Sequence, residues 1–310
     1  MTQTGPVAIT GATGFVGQAV LDEAAQRGLA VRALARRDMP PRDGVEWVRG
    51  DLHDKAALGR LADGASAVLH IAGVVSSHDK AGFRAGNVEG TAHVIAAAQG
   101  AGVKRLVAVS SLSARQPGLS DYGASKREAE MLVEATGLDW TIVRPPAIYG
   151  PRDTEMFDLF RAARLGVVPM PPAGRASIIH VDDLARLLLD CVEVHEAAQH
   201  AVFEPDDGRP GAWPHGELAR AIGQAVGKRV WAPAMPAALV KLAARTDVLL
   251  RGRHARLTPD RARYMVYPDW ACHAGNAVPS NLWQPLIDTR HGLAQTAAWY
   301  AAHGWFSRKN

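Results

Sequence analysis

Short unbroken apolar runs alternate with longer stretches in which apolar and polar positions follow a helical spacing, and this alternation fills the first half of the chain. Val7-Ala8-Ile9-Thr10, Ala30–Ala35, Val45-Glu46-Trp47-Val48, Ala67–Ile71 and Lys104–Val109 read as strands. Most of them are apolar on both faces, as strands covered by helices on either side must be. Between them Gln18–Arg27, Asp54–Leu61, Asp79–Gly100 and Tyr122–Thr136 read as helices, with Asp54 placed to cap the second. Strand, helix and strand in this rhythm predict βαβ units and an α/β fold with a parallel sheet. Beyond Pro151 the pattern thins. Met156–Leu165, Leu184–Val194 and an Ala-rich close ending near Gly304 read as helices, and Asp182 or Asp183 is expected to cap the middle one. Val167–Pro172 reads as irregular, and Pro205–Gly211 is rich in turn formers.

The first turn carries the most chemistry. Gly11-Ala12-Thr13-Gly14-Phe15-Val16-Gly17 joins the first strand to the first helix. Gly11 can take a positive φ, Gly14 lets a pyrophosphate approach the backbone, and Gly17 lets the helix pack closely on its strand. The helix start offers free amides and a positive dipole end, so a dinucleotide phosphate is the expected occupant. At the end of the second strand, where an NAD site usually carries an acid, the chain has Ala35-Arg36-Arg37. Two guanidinium groups without an acid suit a 2′-phosphate, which makes NADP the expected cofactor and NAD the alternative. A solvated arginine pair is the plainer reading of the same residues. Asp51 can accept from an adenine amino group with Leu52 over the ring, or simply cap its loop. Ala72 and Gly73, small residues at a strand's carboxyl end, lie where ligands sit in open α/β sheets. His70 has no second ligand in register and reads as a packed histidine.

Strand Lys104–Val109 delivers Ser110 and Ser111 to the same edge, and Tyr122-Gly123-Ala124-Ser125-Lys126 opens the next helix. The i, i+4 spacing sets Tyr122 and Lys126 side by side on one helix face. An ammonium beside a phenol favours its ionised form, so Tyr122 can exchange a proton with a substrate oxygen that a strand-end serine holds.

Gly11–Gly17, Ser110-Ser111, Tyr122–Lys126, Arg144–Pro151, Ile179-His180-Val181-Asp182-Asp183 and the close through Trp283-Gln284-Pro285 and Gly292–Tyr300 together resemble the extended short-chain dehydrogenase/reductases. The resemblance implies a Rossmann-like, doubly wound parallel sheet with a smaller C-terminal substrate domain. Residues 1–205 would be mainly the dinucleotide-binding domain, with a substrate-side insertion near 151–177, and 206–310 mainly the substrate domain. It also implies a Ser111, Tyr122, Lys126 triad, with Ser110 and Ser113 as substitutes for the serine. The expected cofactor contacts are Gly11, Thr13, Gly14, Phe15, Val16, Gly17, Arg36, Arg37, Asp51, Leu52, Ala72, Gly73, Asn87, Tyr122, Lys126 and Pro145. Epimerase-like members typically carry an Asn where this chain has Ala147, and Arg-Asp where it has Arg175-Ala176. Those departures, with Arg36 and Arg37, make the chain resemble the dihydroflavonol-reductase and 3β-hydroxysteroid-dehydrogenase branch. An NADP-dependent oxidoreductase of a small carbonyl or alcohol is the implied activity. A sugar-nucleotide epimerase or dehydratase with retained cofactor and a redox-silent NADP-binding subunit are the alternatives. The resemblance allows a homodimer.

Composition narrows the picture little further. The chain has 310 residues, 47% of them hydrophobic, and a net charge of +4, which fits a sizeable core and carries no nucleic-acid footprint. Two distant cysteines, Cys191 and Cys272, argue for a reducing compartment and against a thiolate metal site, so no metal is expected. No apolar run reaches membrane-spanning length, and the first strand begins too early to leave room for a signal peptide, so a cytoplasmic location is expected. The basic cluster Arg251–Arg256 with Arg261-Ala262-Arg263 is expected to be a solvated surface, with an anionic substrate or a membrane contact as the alternative.

Overall fold

The computed structural model describes residues 5–193, 195–252, 255 and 257–307. Arg253, His254 and Arg256 of the basic cluster, and Val194 at the end of an expected helix, lie outside the described residues. In chain order the first elements are β1 (Val7–Thr10), α1 (Phe15–Gln26), β2 (Val31–Ala35), β3 (Val45–Arg49), α2 (Lys55–Ala62), β4 (Ala67–His70), α3 (Lys80–Phe83), α4 (Gly90–Gly100), β5 (Arg105–Val109), α5 (Asp121–Glu134) and β6 (Asp139–Val143). After them come β7 (Ala147–Tyr149), α6 (Phe157–Arg164), β8 (Arg175–Ala176), β9 (Ile178–His180), α7 (Val181–Asp190), β10 (Ala201–Phe203), β11 (Trp213–Pro214), α8 (His215–Ala225), α9 (Ala237–Arg251), α10 (Pro259–Met265), β12 (Asp269–Trp270) and α11 (Thr289–Ala302).

The chain divides into two compact units. The first comprises Met1–Pro145, Leu184–Pro205 and Gly275–Gln284. It holds a seven-stranded sheet in the order β10-β6-β5-β4-β1-β2-β3 with every pair parallel. The strand order reverses between β1 and β4, the crevice at which such doubly wound sheets bind ligands. Leu58, Leu61, Leu106, Val133 and Ile142 are among the residues of its core. Arg105, fully buried at the start of β5, donates to the carbonyl of Cys191, to Asp139 and to Thr141, tying two strands to the segment after α7. No helix among the described residues is long and apolar enough to cross a membrane.

The expected Asp79–Gly100 helix is there, with a difference. Between α3 and α4 the chain makes a π-helical turn over Arg84–Glu89. Such a turn inserts one residue into an α-helix and is frequent at functional sites. The first helix begins at Phe15 rather than Gln18, because the end of the glycine turn already has helical geometry. Asp139–Val143 and Ala201–Phe203, to which sequence reading gives no strand, complete the sheet on the β5 side.

The second unit comprises Pro146–Asp183, Asp206–Ala274 and Pro285–Asn310. It has a parallel pair, β7 with β9, and a small sheet in the order β11-β8-β12. Tyr149, Phe160, Ile178, Trp213, Leu293 and Tyr300 lie in its core. Asp183 does not cap the helix as expected. α7 already begins at Val181, and the buried Asp183 carboxylate accepts from the backbone amides of Leu286 and Ile287, fixing the entry to α11.

Candidate active site

Two of the three glycines in the turn have a steric cause. Gly11 sits at φ 75°, and a Cβ there would stand 2.6 Å from the Ala72 backbone nitrogen. A Cβ on Gly17 would stand 2.2 Å from the Gly11 carbonyl oxygen, so α1 can pack on the turn only with glycine there. Gly14, in contrast, is exposed, and its Cβ position meets only the Gly11 oxygen, at 3.3 Å. It forms the N-cap of α1 and has no side chain to satisfy the first amides. An open glycine followed by uncapped amides at a helix start is a cradle for a dinucleotide phosphate, and the residues present fit that group. Thr13 is exposed beside it, with Phe15 and Val16 half-buried in the first turn of the helix.

At the ends of β2 and β3, the Gly50 amide donates to the Ala35 carbonyl, which brings Arg36 and Asp51 to neighbouring strand ends. Arg36 and Arg37 are exposed and make no ion pair or hydrogen bond among the described residues, while the next residue, Asp38, is paired with Arg49. Two guanidinium groups are thus left uncompensated among the described residues at the end of β2. Asp51 caps its loop by accepting from the amides of His53 and Asp54 through one oxygen. Leu52 packs against Gly90.

The loop after β4 is held from below. Thr91 donates to the Asn87 carbonyl at 2.6 Å and accepts from His70 Nε2 at 3.0 Å, and Nδ1, 2.6 Å from Thr10 Oγ1, accepts from it in the neutral ring. Thr10 Oγ1 in turn accepts from the Ala72 amide. Burial, with the Lys126 charge adding to it, pushes the His70 pKa down to about 3. His70 is therefore a packed histidine, as its sequence context implied, and it ties the end of β1 to the loop that faces Gly11.

Asn87, within the π-helical turn, is 1% exposed. Its oxygen accepts from the Val74 amide, and its two amide hydrogens go to the Val74 carbonyl and Ser125 Oγ. The side chain holds the Ala72–Val74 loop, with both amide hydrogens engaged and one lone pair of its oxygen left to accept from a ligand. Pro145 is buried, and its carbonyl accepts from the Leu112 amide.

Ser120 caps α5, and Tyr122 and Lys126 follow one turn apart. Lys126 is 8% exposed, and its ammonium donates to the Val109 carbonyl at 2.8 Å. A Cβ added to Gly73 would lie 3.4 Å from Lys126 Nζ and 3.0 Å from Asn87 Oδ1, so Gly73, Asn87 and Lys126 converge. The Tyr122 ring lies against Phe83, with centroids 5.9 Å apart. Gly123 lets the start of α5 abut the turn that carries Ser111, because a Cβ there would stand 2.7 Å from the Ser113 carbonyl oxygen. Ser111 Oγ accepts from the Ser113 amide and hydroxyl, which leaves its own proton to donate. Ser110 is engaged elsewhere, donating to Glu130 at 2.6 Å.

Glu130, one turn beyond Lys126, is the residue that sequence reading missed. It is buried and accepts from Ser110, from Arg144 through Nε and Nη2 at 2.8 and 2.7 Å, and from Arg127. Arg144 also lies 3.5 Å from the buried Glu204, which Arg115 contacts at 3.2 Å. The Arg144 motif thus has a structural task, locking α5 to the ends of β5 and β6. The signal was present in the sequence as a third polar residue on the face carrying Tyr122 and Lys126.

Burial lowers the Lys126 pKa from its usual 10.5 to about 8, with Glu130 opposing the shift. The unfolded chain therefore holds one more proton than the folded chain between those values, and stability rises with pH across that window. Full deprotonation removes a penalty on the order of 3 kcal/mol. Thermal unfolding from pH 7 to 10.5 should show a rising contribution in the wild type that Lys126→Met lacks. Parallel curves for the two proteins would contradict this.

The family described as NAD(P)H-binding matches residues 11–194. The ceramide reductase of Caulobacter vibrioides is 38% identical over 98% of this chain and 97% of its own. A ketoreductase of Stigmatella aurantiaca, which acts on 4-hydroxy-2-methyl-3-oxo-4-farnesyl-3,4-dihydroquinoline-1-oxide, is 28% identical over 82% of this chain and 89% of its own. Among solved structures, MoeE5 in complex with UDP-glucuronic acid and NAD superposes with a TM-score of 0.75 at 26% identity, covering 96% of this chain and all of that one. On the matching family, the reductase conserved across nearly the whole length, and the fold shared with an NAD-bound structure, this chain belongs to the extended short-chain dehydrogenase/reductase family of NAD(P)-dependent enzymes.

Proposed function

We propose that this chain is an NADPH-dependent reductase that converts the ketone of a ceramide-class lipid to an alcohol. The observation that carries the reading is Lys126, a buried ammonium between the Val109 carbonyl and the Gly73 loop, one helical turn from Tyr122 and next to the segment that presents Ser111. Bound at the glycine turn, the dinucleotide supplies the hydride. The chain's own residues do the rest. Ser111 holds the carbonyl oxygen through the proton it has free, Tyr122 gives that oxygen its proton, and Lys126 supplies the positive charge that favours the resulting phenolate. Gly11, Gly14 and Gly17 admit the pyrophosphate, and Arg36 and Arg37 hold the 2′-phosphate that separates NADPH from NADH. The lipid class rests on the 38% identity to the ceramide reductase, which runs through both units of this chain.

Titration with NADPH and NADH, followed by fluorescence, tests the cofactor. Wild type is expected to prefer NADPH by at least about tenfold, and Arg36→Ala/Arg37→Ala to lose that preference while keeping NADH affinity, since a charge-assisted contact contributes roughly 1.5 to 3 kcal/mol. The same NADPH with a detergent-dispersed ketone of a ceramide-type lipid tests the substrate. Equal affinity for NADH, or tightly held NAD carried through purification, would overturn the reading and bring a nucleotide-sugar substrate forward.

A further inference from the structure

Helix α9 of the second unit runs for fifteen residues and buries only Ala244. Its leucines do not face the core. Leu249 is 84% exposed and Leu250 77%, and Leu239 and Leu242 are exposed as well. Positions 239, 242, 249 and 250 fall at i, i+3, i+10 and i+11, so all four lie on one face. Ala243 and Thr246 fill the same stripe, and Thr246 turns its hydroxyl inward to the Leu242 carbonyl. The stripe is thus apolar along its length, with its one hydroxyl satisfied by the helix itself. Lys241 and Arg245 run along one border, exposed and without an ion pair among the described residues. Arg251, at the far end, is paired with Asp247.

We infer that α9 docks in the plane of an anionic phospholipid bilayer, its leucines in the acyl boundary and Lys241 and Arg245 against the headgroups. A contiguous apolar stripe on a helix of a folded unit marks an interaction surface. Among partners, the unpaired cations select a negative surface, and an apolar face with a basic border is the pattern of helices that lie in a membrane interface. Neither feature requires a span, in keeping with the absence of one among the described helices. The inference draws on the proposed lipid substrate only for its purpose, which is to bring the enzyme to where such a substrate resides.

Flotation of the full chain with phosphatidylcholine vesicles, with and without phosphatidylglycerol, tests it. Wild type is expected to float with the anionic vesicles and at least about fivefold less with the neutral ones, following the contribution of each basic residue near a charged membrane. L249E/L250E should lower binding to the anionic vesicles at least about tenfold by placing charges in the apolar face. K241E/R245E should lower it by a similar factor while NADPH binding stays intact in both variants, which keeps a folding defect from passing as an answer. Wild type left in solution with both vesicles, or L249E/L250E floating as well as wild type, overturns the inference. So does a wild-type dimer in sedimentation that L249E/L250E dissociates without any vesicle binding, because a second copy would then cover the stripe. The substrate reading fails separately. Flotation without reduction of the detergent-dispersed ketone sinks that reading alone, and reduction without flotation sinks this one alone.

Discussion

Tyr122→Phe is expected to lower kcat/KM for ketone reduction by about a thousandfold, within the range that a positioned acid contributes, while NADPH binds with unchanged affinity. The variant removes one oxygen. Its ring can keep the contact with Phe83, and the backbone carbonyl that Ser125 donates to is untouched, so the start of α5 keeps its form. What is lost is the proton for the carbonyl oxygen, which matters only as charge develops there in the transition state. Steady-state assays with the lipid ketone, beside a cofactor titration, separate the two effects. Full activity in Tyr122→Phe would remove Tyr122 from the chemistry. Cofactor binding with no turnover in wild type, across a panel of ketones, would instead make the protein a redox-silent binder.

The second large effect is expected from Glu130→Gln, on stability. Glu130 is buried, with Arg144 bidentate on it and Ser110 donating to it. An amide in its place offers one acceptor atom and turns an NH2 group toward arginine donors. Loss of one partner from such a buried pair typically destabilises by about 3 to 5 kcal/mol. Glu134→Gln is the control, since Glu134 is partly exposed and, among the described residues, pairs with Arg127 alone. Its effect should stay below about 1 kcal/mol. Chemical denaturation of the two variants measures both. Glu130 also holds the Lys126 pKa up against burial, so the alkaline limb of the activity profile should move to lower pH in Glu130→Gln. A stability change no larger than that of Glu134→Gln would show that the pair is well solvated and that α5 is held by packing alone.

The sequence made the first half of the fold legible because its strands are apolar runs punctuated by glycine, and because glycines at 11 and 17 have one steric solution. It showed which residue types meet at the sheet edge, and Tyr122 and Lys126 were readable from helical spacing. It could not show that the Asn87 side chain turns to Val74 and Ser125, because that depends on the phase of a helix with an extra residue in it. Glu130 was visible as a position, yet its partner Arg144 comes from a different element, and nothing local in sequence links the two. Strand β6 has no alternation to read, being buried along nearly its whole length. In the second unit, strands of two residues such as β8, β11 and β12 leave no periodic trace at all. Exposed leucines on α9 obey the same spacing as buried ones, so only coordinates reveal that they face outward.

The π-helical turn at Arg84–Glu89 has a consequence for how this enzyme can diverge. In an uninterrupted helix, the rotation that points Asn87 at the loop would also fix which residues of α4 meet the sheet. One additional residue between them uncouples the two rotations. Val94, Ile95 and Ala98 can then be exchanged to repack the core while Asn87 stays aimed at Val74. Deleting a single residue from the turn would restore an ordinary helix and force a choice between the two alignments. The irregular turn thus acts as a phase joint between the core face of α4 and the loop that Asn87 holds.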